Sequence, residues 1–403
     1  NIIHTIEEHG FKAYAVGGCI RDSILGRNPD DWDITTSAVP SQIKTFFKRT
    51  VDTGIAHGTV TIMIDKTGYE VTTYRIDGEY EDGRHPKSVE FSDRLVDDLC
   101  RRDFTINAMA YNDTDGFVDE FNGLDDLDAK IIRCVGEPEL RFTEDALRMM
   151  RAIRFSAQLG FTINEATWSA IKKLAPSINK ISMERVHVEL GKTLMSAHPD
   201  YVAEYSEAGL FEPILPVVDN ALKSRYNKKI LAILRHVPDN IYLRYAALFI
   251  TSTPDEAAKT LRALKLDNKT VDTVSKLVEL SKIDIEETEP AVRTALNKYG
   301  RDFLPLWHEL MMAVLQASED IIGISNPAKV KHLLTLKRLA TDILARGDCF
   351  TIKDLDISGN DLIEYGLQGH EIGETLKSLL DIVIENPKLN DKATLIAMIE
   401  HIK

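Results

Sequence analysis

Over the first third of the chain, apolar and polar residues alternate in short runs with a period near two. The apolar run Ala13–Val16 ends in Gly17-Gly18, and residues 31–35 alternate polar with apolar. Thr59–Ile64 is rich in β-branched residues, and a similar run covers 69–74 after Gly68. These segments predict strands of one sheet. The polar stretch IDGEYEDGRHPKSVEF, residues 76–91, contains two Gly and one Pro and predicts a loop. From about Glu137 the pattern changes. Apolar residues recur at helical spacing over 144–159, 166–174, 183–195, 241–250 and 303–315, separated by Asp- or Pro-bearing joints. The expected architecture is an α+β head followed by an all-helical remainder, with breaks near residues 136, 200 and 300.

A chain of 403 residues is too long for one ordinary core, so two or more domains are expected. The composition, 44% hydrophobic and 28% charged, is that of a globular protein. No apolar stretch reaches the roughly 18 residues of a membrane span. The N-terminal ten residues read as polar and amphipathic rather than as a signal peptide, and without an initiator Met they read as a processed or trimmed start. Cys19, Cys100, Cys134 and Cys349 include no CxxC pair. That argues against a zinc site and a disulfide framework, and it fits a reducing cytoplasm. The net charge of −14 counts against a nucleic-acid partner. A basic groove on an acidic surface is nevertheless compatible with that sum.

The candidate chemistry begins at AVGGCIRDSILGRNPDDWDITT. Gly17-Gly18 ends a strand and opens a helix, where backbone without Cβ atoms can approach a phosphate. Arg21 lies one turn in and could fork onto phosphate oxygens. For the glycines alone, a plain turn with a surface arginine is the better explanation. Asp31 and Asp33 change the weighting: on a strand they share a face, with Trp32 and Ile34 packed on the other. Two adjacent carboxylates repel unless a cation lies between them. Mg²⁺ suits such a pair because it binds oxygen ligands and substrate phosphates together. Glu70 shares a face with Thr72 and Tyr74. It is either a third carboxylate of a two-metal site or a surface residue of the sheet.

Within EDALRMMRAIRF, Ala146, Met149, Met150 and Ile153 form an apolar stripe. Asp145, Arg148, Arg151 and Arg154 step round the opposite side. A solvated face is one reading. Base recognition is another. Cytosine and adenine each present an amino donor beside a ring-nitrogen acceptor, which an Asp–Arg pair complements and which uracil and guanine lack. In RRDFTINAMA, Arg102 can meet phosphate or sugar, and Asp103 and Asn107 can reach a ribose hydroxyl. A charged helix start explains that segment as well.

Taken together, Gly17-Gly18, Arg21-Asp22, Asp31-x-Asp33, GIAHGTV (54–60), RRDFTINA (101–108), RFTEDALR (141–148), ISMER (181–185) and ISGNDL (357–362) resemble the class II CCA-adding tRNA nucleotidyltransferases. The motifs follow the family's order and span nearly the whole chain. The resemblance implies a catalytic nucleotidyltransferase head with a small mixed β-sheet (1–136), then a helical neck for nucleotide recognition (137–200), body (201–300) and tRNA-binding tail (301–403). It implies CTP, ATP and the tRNA acceptor end as substrates, with Mg²⁺ at Asp31 and Asp33 and Glu70 in support. It assigns base reading to Asp145 and Arg148, and nucleotide contacts to Gly18, Arg21, Arg102, Asp103, Asn107, Arg151 and Arg154. His57 is expected to be structural. No membrane is involved, and a homodimer is compatible with the family.

Three alternatives follow. A bacterial poly(A) polymerase shares the head, but it typically carries a basic GRRF-like segment where this chain has DTGIAHGTV. An A-adding enzyme keeps the loop at residues 77–84, as this chain does, and is poorly separated from the full CCA enzyme. A non-catalytic RNA-binding protein on an inactive head is disfavoured by the intact Asp31 and Asp33. Lys223, Arg225, Lys228 and Lys229 could touch an RNA backbone or simply form a solvated helix end.

Overall fold

All four residues of strand β1 (Ala13–Val16) are buried, as expected for an apolar run covered on both faces of a sheet. The computed structural model describes residues 1–29, 31–78 and 88–402, and the chain divides into two compact units, Asn1–Asn220 and Ala221–Lys403. In the first unit, helices α1 (Ile2–Glu8), α2 (Gly18–Ile24) and α3 (Pro40–Phe46) alternate with β1, β2 (Ile34–Thr36), β3 (Thr50–Gly54), β4 (Thr59–Ile64) and β5 (Thr67–Thr73). A ribbon of β6 (Arg75–Asp77) and β7 (Val89–Phe91) follows, then α4 (Leu95–Cys100), the hairpin β8 (Ala110–Asn112) and β9 (Gly116–Val118), and α5 (Gly123–Asp128). The seven-stranded sheet has the order β3-β4-β5-β2-β1-β8-β9. It is mixed, since β2 runs parallel to β5 while β1 is antiparallel to both β2 and β8.

One face of the sheet buries Ile6, Ile34, Ile43, Val60 and Val71. The other buries Tyr14, Val16, Tyr74, Leu99 and Ala110. Ile34 points into the first core, so its neighbours Asp33 and Thr35 face the opposite way. There the Thr35 hydroxyl donates to Asp98 at 3.0 Å. Beyond the sheet come β10 (Ile131–Ile132), α6 (Pro138–Glu144), α7 (Leu147–Leu159), β11 (Thr162–Ile163), α8 (Glu165–Leu174) and α9 (Met183–Leu194). The N-cap Asn164 accepts from the amides of Ala166 and Thr167 and so fixes the start of α8.

The structure departs from the sequence-based expectation at several points. The strand expected over 31–35 begins only at Ile34, and Trp32, expected to pack beneath it, is 44% exposed. Strands β3, β8 and β9 were not anticipated. The ends of the loop expected over 76–91 pair as β6 and β7, while most of the 77–84 segment lies outside the described residues. The single helix expected over 144–159 is two. Asp145 adopts an extended conformation (φ −145°, ψ 104°), and its carboxylate accepts from the Leu147 amide at 3.0 Å, which opens α7. Aspartate competes well for such amides and therefore favours helix starts over helix interiors.

The second unit is helical, from Asn227–His236 through Pro327–Arg346 to Lys392–Ile402. The helix expected over 303–315 continues to Ile322. Arg293, 2% exposed, donates to the Ile384 carbonyl at 2.6 Å and to Asp348 at 2.9 Å, tying the end of His370–Glu385 to the helix Glu289–Tyr299. Among the described residues no helix is long and apolar enough to cross a membrane.

Candidate active site

The turn from β1 into α2 depends on Gly17. Its φ of 84° lies in the left-handed region, and a Cβ there would stand 2.9 Å from Arg102 Nη1. At Gly18, the glycine singled out from the sequence, a Cβ would meet only Arg21 Nη2 at 3.7 Å. Beside this turn lies a cavity of about 530 Å³. Gly18, Arg21, Asp22, Asp31 and Asp33 line it from the head, and Arg154, Gln158 and Lys192 line it from α7 and α9. Neither Asp31 nor Asp33 has a hydrogen bond or ion pair from its carboxylate among the described residues. Partial burial pushes the Asp33 carboxyl up, Arg102 pulls it down, and Asp31 adds to the rise. Among the described residues no three His, Cys, Asp or Glu side chains converge to hold a metal. Glu70 is exposed and outside this lining. The register of β2 with β5, Ile34 opposite Val71, sets its backbone level with Asp33 one step along.

Behind the cavity runs a chain of charged groups. Arg21 directs Nε and Nη2 to the Asp22 carboxylate, each at 2.9 Å, and Nη1 to Asn107 Oδ1 at 2.6 Å. The fork expected to meet phosphate is thus taken by Asp22. Asn107 Nδ2 donates to Asp103 Oδ1 at 3.1 Å. Asp103 also accepts from the Phe104 amide at 2.9 Å and from Arg151 Nε and Nη2 at 2.8 and 2.7 Å. A ribose hydroxyl would have to displace one of these donors. Burial alone would raise the Asp103 carboxyl, but Arg151 and Asn107 outweigh it and hold it well below the usual carboxylate range. From α9, Glu189 accepts from Arg154 Nε at 2.7 Å and lies 3.8 Å from Arg151 Nη1. Burial lowers the Arg154 pKa, against the opposing pull of Glu189. The Arg154 guanidinium stacks 3.6 Å over the Phe155 ring, and Arg21 lies 4.9 Å from the same ring.

A second cavity, of about 270 Å³, is lined by Arg101, Arg102, Asp103, Asp145, Leu147, Arg148, Arg151 and Arg185. Asp145 and Arg148 are both present, but not as the helical pair expected. Asp145 precedes α7 and accepts two bonds from Arg185, at 2.6 and 3.2 Å. Arg148 donates to Glu144 at 2.6 Å and to the carbonyls of Arg101 and Arg141 at 2.8 and 3.3 Å. Each base-reading candidate is therefore held by its own partner.

The sequence reading missed Glu144, Arg185, Glu189 and Asp98. Asp98 is 0% exposed and accepts from Arg101 at 2.7 Å and from Arg102 at 3.4 Å. Burial would raise its carboxyl, but the two arginines bring it below its ordinary value. The spacings Asp98–Arg101, Asp98–Arg102 and Glu144–Arg148 are helical pairs visible in the sequence. Arg185 ends the ISMER segment, but it and Glu189 come from a helix distant in sequence, so nothing local pairs them with Asp145 and Arg154. Among the described residues, Arg102 Nε is buried without a hydrogen-bond partner. The ring of His57 lines neither cavity, and its carbonyl accepts from Arg75. Lys223, Arg225, Lys228 and Lys229 belong to the second unit, where Arg225 stacks on Tyr226 at 5.0 Å.

Residues 13–133 match the Poly A polymerase head domain, 160–222 the RNA and SrmB-binding site of polymerase A, and 240–399 tRNA nucleotidyltransferase domain 2. The chain is 38% identical over 384 residues to the CCA-adding enzyme of Latilactobacillus sakei, covering 94% of this chain and 91% of that one. It is 36% identical over 406 residues to the CCA-adding enzyme of Levilactobacillus brevis, covering 99% and 96%. The crystal structure of the Bacillus stearothermophilus CCA-adding enzyme in complex with CTP is similar at a TM-score of 0.76 and 32% identity, over 99% of this chain and 96% of that one. The Thermotoga maritima CCA-adding enzyme complexed with tRNA shares the fold, at a TM-score of 0.62 and 20% identity over 100% and 94%. With the glycine turn, the paired aspartates and the arginine-lined second cavity assembled in one unit, these likenesses show that the chain belongs to the CCA-adding tRNA nucleotidyltransferases.

Proposed function

We propose that this chain adds C, C and A in turn to the 3′ end of tRNA, using CTP and ATP and no nucleic-acid template. The observation that carries the reading is the succession of two chemically distinct cavities along α7. Asp145 and Arg148 face one of them, and Arg154 faces the other opposite Asp31 and Asp33. A base held at the first would lie with its phosphates directed toward the second. The locked Asp145 carboxylate accepts from the amino group of C or A, and the locked Arg148 donates to the ring nitrogen. U and G would place donor against donor and acceptor against acceptor. Fixing both groups before the nucleotide arrives makes rejection of the wrong base sharper, because neither can swing away.

The family uses divalent metal ions, and we assign Mg²⁺ here, held by Asp31 and Asp33. Two unpartnered carboxylates facing one cavity fit that ion, which keeps open positions for water and phosphate oxygens. When bound, it supplies charge neutralisation and lowers the pKa of a coordinated hydroxyl. In the reaction the tRNA 3′-hydroxyl gives up its proton to solvent and its oxygen forms a bond to the α-phosphorus as the bond to the α,β-bridging oxygen breaks. The electron pair stays on that bridging oxygen and leaves with pyrophosphate. The Gly17-Gly18 turn gives the phosphates close access to backbone. Arg21 and Arg154 neutralise developing charge by exchanging protein carboxylates for phosphate oxygens. Asp103 and Asn107 hold Arg21 and Arg151 in place, and Arg102, which lines the base cavity, is available to the sugar or phosphate. Glu70 stands in support beside Asp33. The acceptor stem falls to the body and tail, beyond residue 200.

The test uses the protein, Mg²⁺ and tRNA ending at the discriminator base, with CTP, ATP or both. Addition of two C from CTP alone, and of a terminal A once ATP joins it, is the expected result. Extension only of tRNA that already ends in CC would make the chain an A-adding enzyme. A long A tail would make it a poly(A) polymerase.

A further inference from the structure

We infer that Lys192 binds the terminal phosphates of the incoming nucleotide and holds pyrophosphate as it leaves. The inference rests on the nucleotidyl-transfer reading above and adds a residue to it. Helix α9 runs alongside α7 in the same direction, and the two are joined by successive charged rungs. Arg185 meets Asp145 at 2.6 Å, just before α7. One turn on, Glu189 meets Arg154 at 2.7 Å. Lys192 is the next charged position of α9, and it has no hydrogen bond or ion pair among the described residues. It lines the 530 Å³ cavity together with Asp31, Asp33, Arg154 and Gln158.

The other cations of that lining are already committed. Arg21 is held by Asp22 and Asn107. Arg154 is held by Glu189 and by Gln158 at 2.9 Å. Arg27 reaches the Gln158 carbonyl at 3.5 Å. Lys192 alone among the described cations of the lining has no protein partner, so its whole ammonium is open to an anion. Its place along the helix identifies which anion. The base cavity contains Arg148, near the start of α7, and the Lys192 wall contains Gln158, near its end. These residues are separated by about 15 Å of helix. Lys192 is therefore at the end farthest from the base, where the β- and γ-phosphates lie. Its ammonium donates to oxygens that carry more charge once the α,β bond has broken, so it favours the leaving pyrophosphate over the bound triphosphate.

The experiment measures Lys192→Gln and Lys192→Arg against wild type for the KM of CTP, the KM of tRNA and product inhibition by inorganic pyrophosphate. Lys192 is exposed, so both variants are expected to fold, with melting temperature as the control. For Lys192→Gln the expected result is a rise of about tenfold in both the CTP KM and the pyrophosphate inhibition constant. The tRNA KM stays within about twofold, and Lys192→Arg restores most of the loss. An unchanged pyrophosphate inhibition constant overturns the inference. So does a rise confined to the tRNA KM, which would mean that the lysine holds the primer's phosphodiester. Wild type in the same assay reports on the function itself: if it adds no C, the proposed function fails whatever the lysine does.

Discussion

The two cavities of the N-terminal unit differ in how their carboxylates are treated. In the cavity around Arg148, Asp103 is bound by Arg151 and Asp145 by Arg185. In the cavity around Arg154, Asp22 is likewise held by Arg21, but Asp31 and Asp33 face each other's charge with no cation in contact among the described residues. Paired groups are locked in geometry before any ligand arrives, which suits discrimination between bases. Unpaired ones are held at a cost that a ligand can relieve, which suits a metal ion. The lesson is that the partners a chain withholds from a carboxylate are as informative as those it supplies.

Removing the unpaired carboxylates is the strongest way to break that comparison. Asp31→Ala and Asp33→Ala should each lower the rate of CMP addition about a thousandfold or more, since metal assistance is worth several kcal/mol at the transition state. They should not lower the melting temperature, because among the described residues neither carboxylate holds a hydrogen bond or ion pair, and a repulsion is relieved. Activity, calorimetry and Mg²⁺ binding measured together decide the point. Lost activity with fully retained metal binding would remove the metal assignment.

The next effect is on selectivity. Exchanging donor and acceptor, Asp145→Arg with Arg148→Asp, should turn preference from C and A toward U or G. The structure adds a condition. Position 145 faces Arg185, and position 148 faces Glu144. The double exchange alone should therefore lower total incorporation, and adding Arg185→Glu should recover part of it. Competition among the four nucleotides reads the outcome. An unaltered preference for C and A would sink the base-reading assignment.

Asp103→Asn probes the paired side through stability. It removes the two bonds that tie Arg151 to a buried carboxylate, leaving only Glu189 at 3.8 Å, at a cost of about 3 kcal/mol, or roughly 8 °C in the melting temperature of the unit. The folded pKa of Asp103 is depressed, so its contribution is present above the unfolded carboxylate value of about 4 and is lost as pH falls through the folded value. The gap between variant and wild type should accordingly narrow on acidification below about pH 4. A gap that is constant with pH would mean that the pair contributes packing rather than charge.

What could be read from the sequence was set by locality. Strand β4 and the start of α9 at Met183 fell where periodicity put them. Gly18, Asp31 and Asp33 are close together in the chain, on either side of α2, so their convergence on one cavity could be expected from the sequence. The break at Asp145 was not, because an apolar stripe continues across it and only the carboxylate's bond to the Leu147 amide stops the helix. The settings of Asp145 and Arg154 by Arg185 and Glu189 were also hidden, since those contacts span 40 and 35 residues of sequence. The short strands β8 and β9 carry exposed Tyr111 and Phe117, so they lack the clean alternation that marks a half-buried strand.

The smallest effect concerns a carboxylate in neither cavity. Among the described residues Glu204 has a buried Oε2 with no hydrogen-bond partner, and burial, with Glu207 and Asp200 nearby, pushes its pKa up to about 7. It resembles Asp33 in lacking a cation but differs in lining neither of the two cavities. Its folded pKa lies above the unfolded value of about 4.3, so the folded state binds the extra proton between those two values. Stability should therefore fall as pH rises from about 4.5 to about 7, and stay level above that. Glu204→Gln removes the ionisable group. It should leave stability unchanged near pH 4.5 and raise it by about 1 kcal/mol, roughly 3 °C, at pH 8. Catalysis should be unaffected at either pH. If the substitution instead lowered CMP addition as Asp33→Ala does, an unpartnered carboxylate would matter to the reaction even outside the cavity, and the distinction drawn between the two sites would fail.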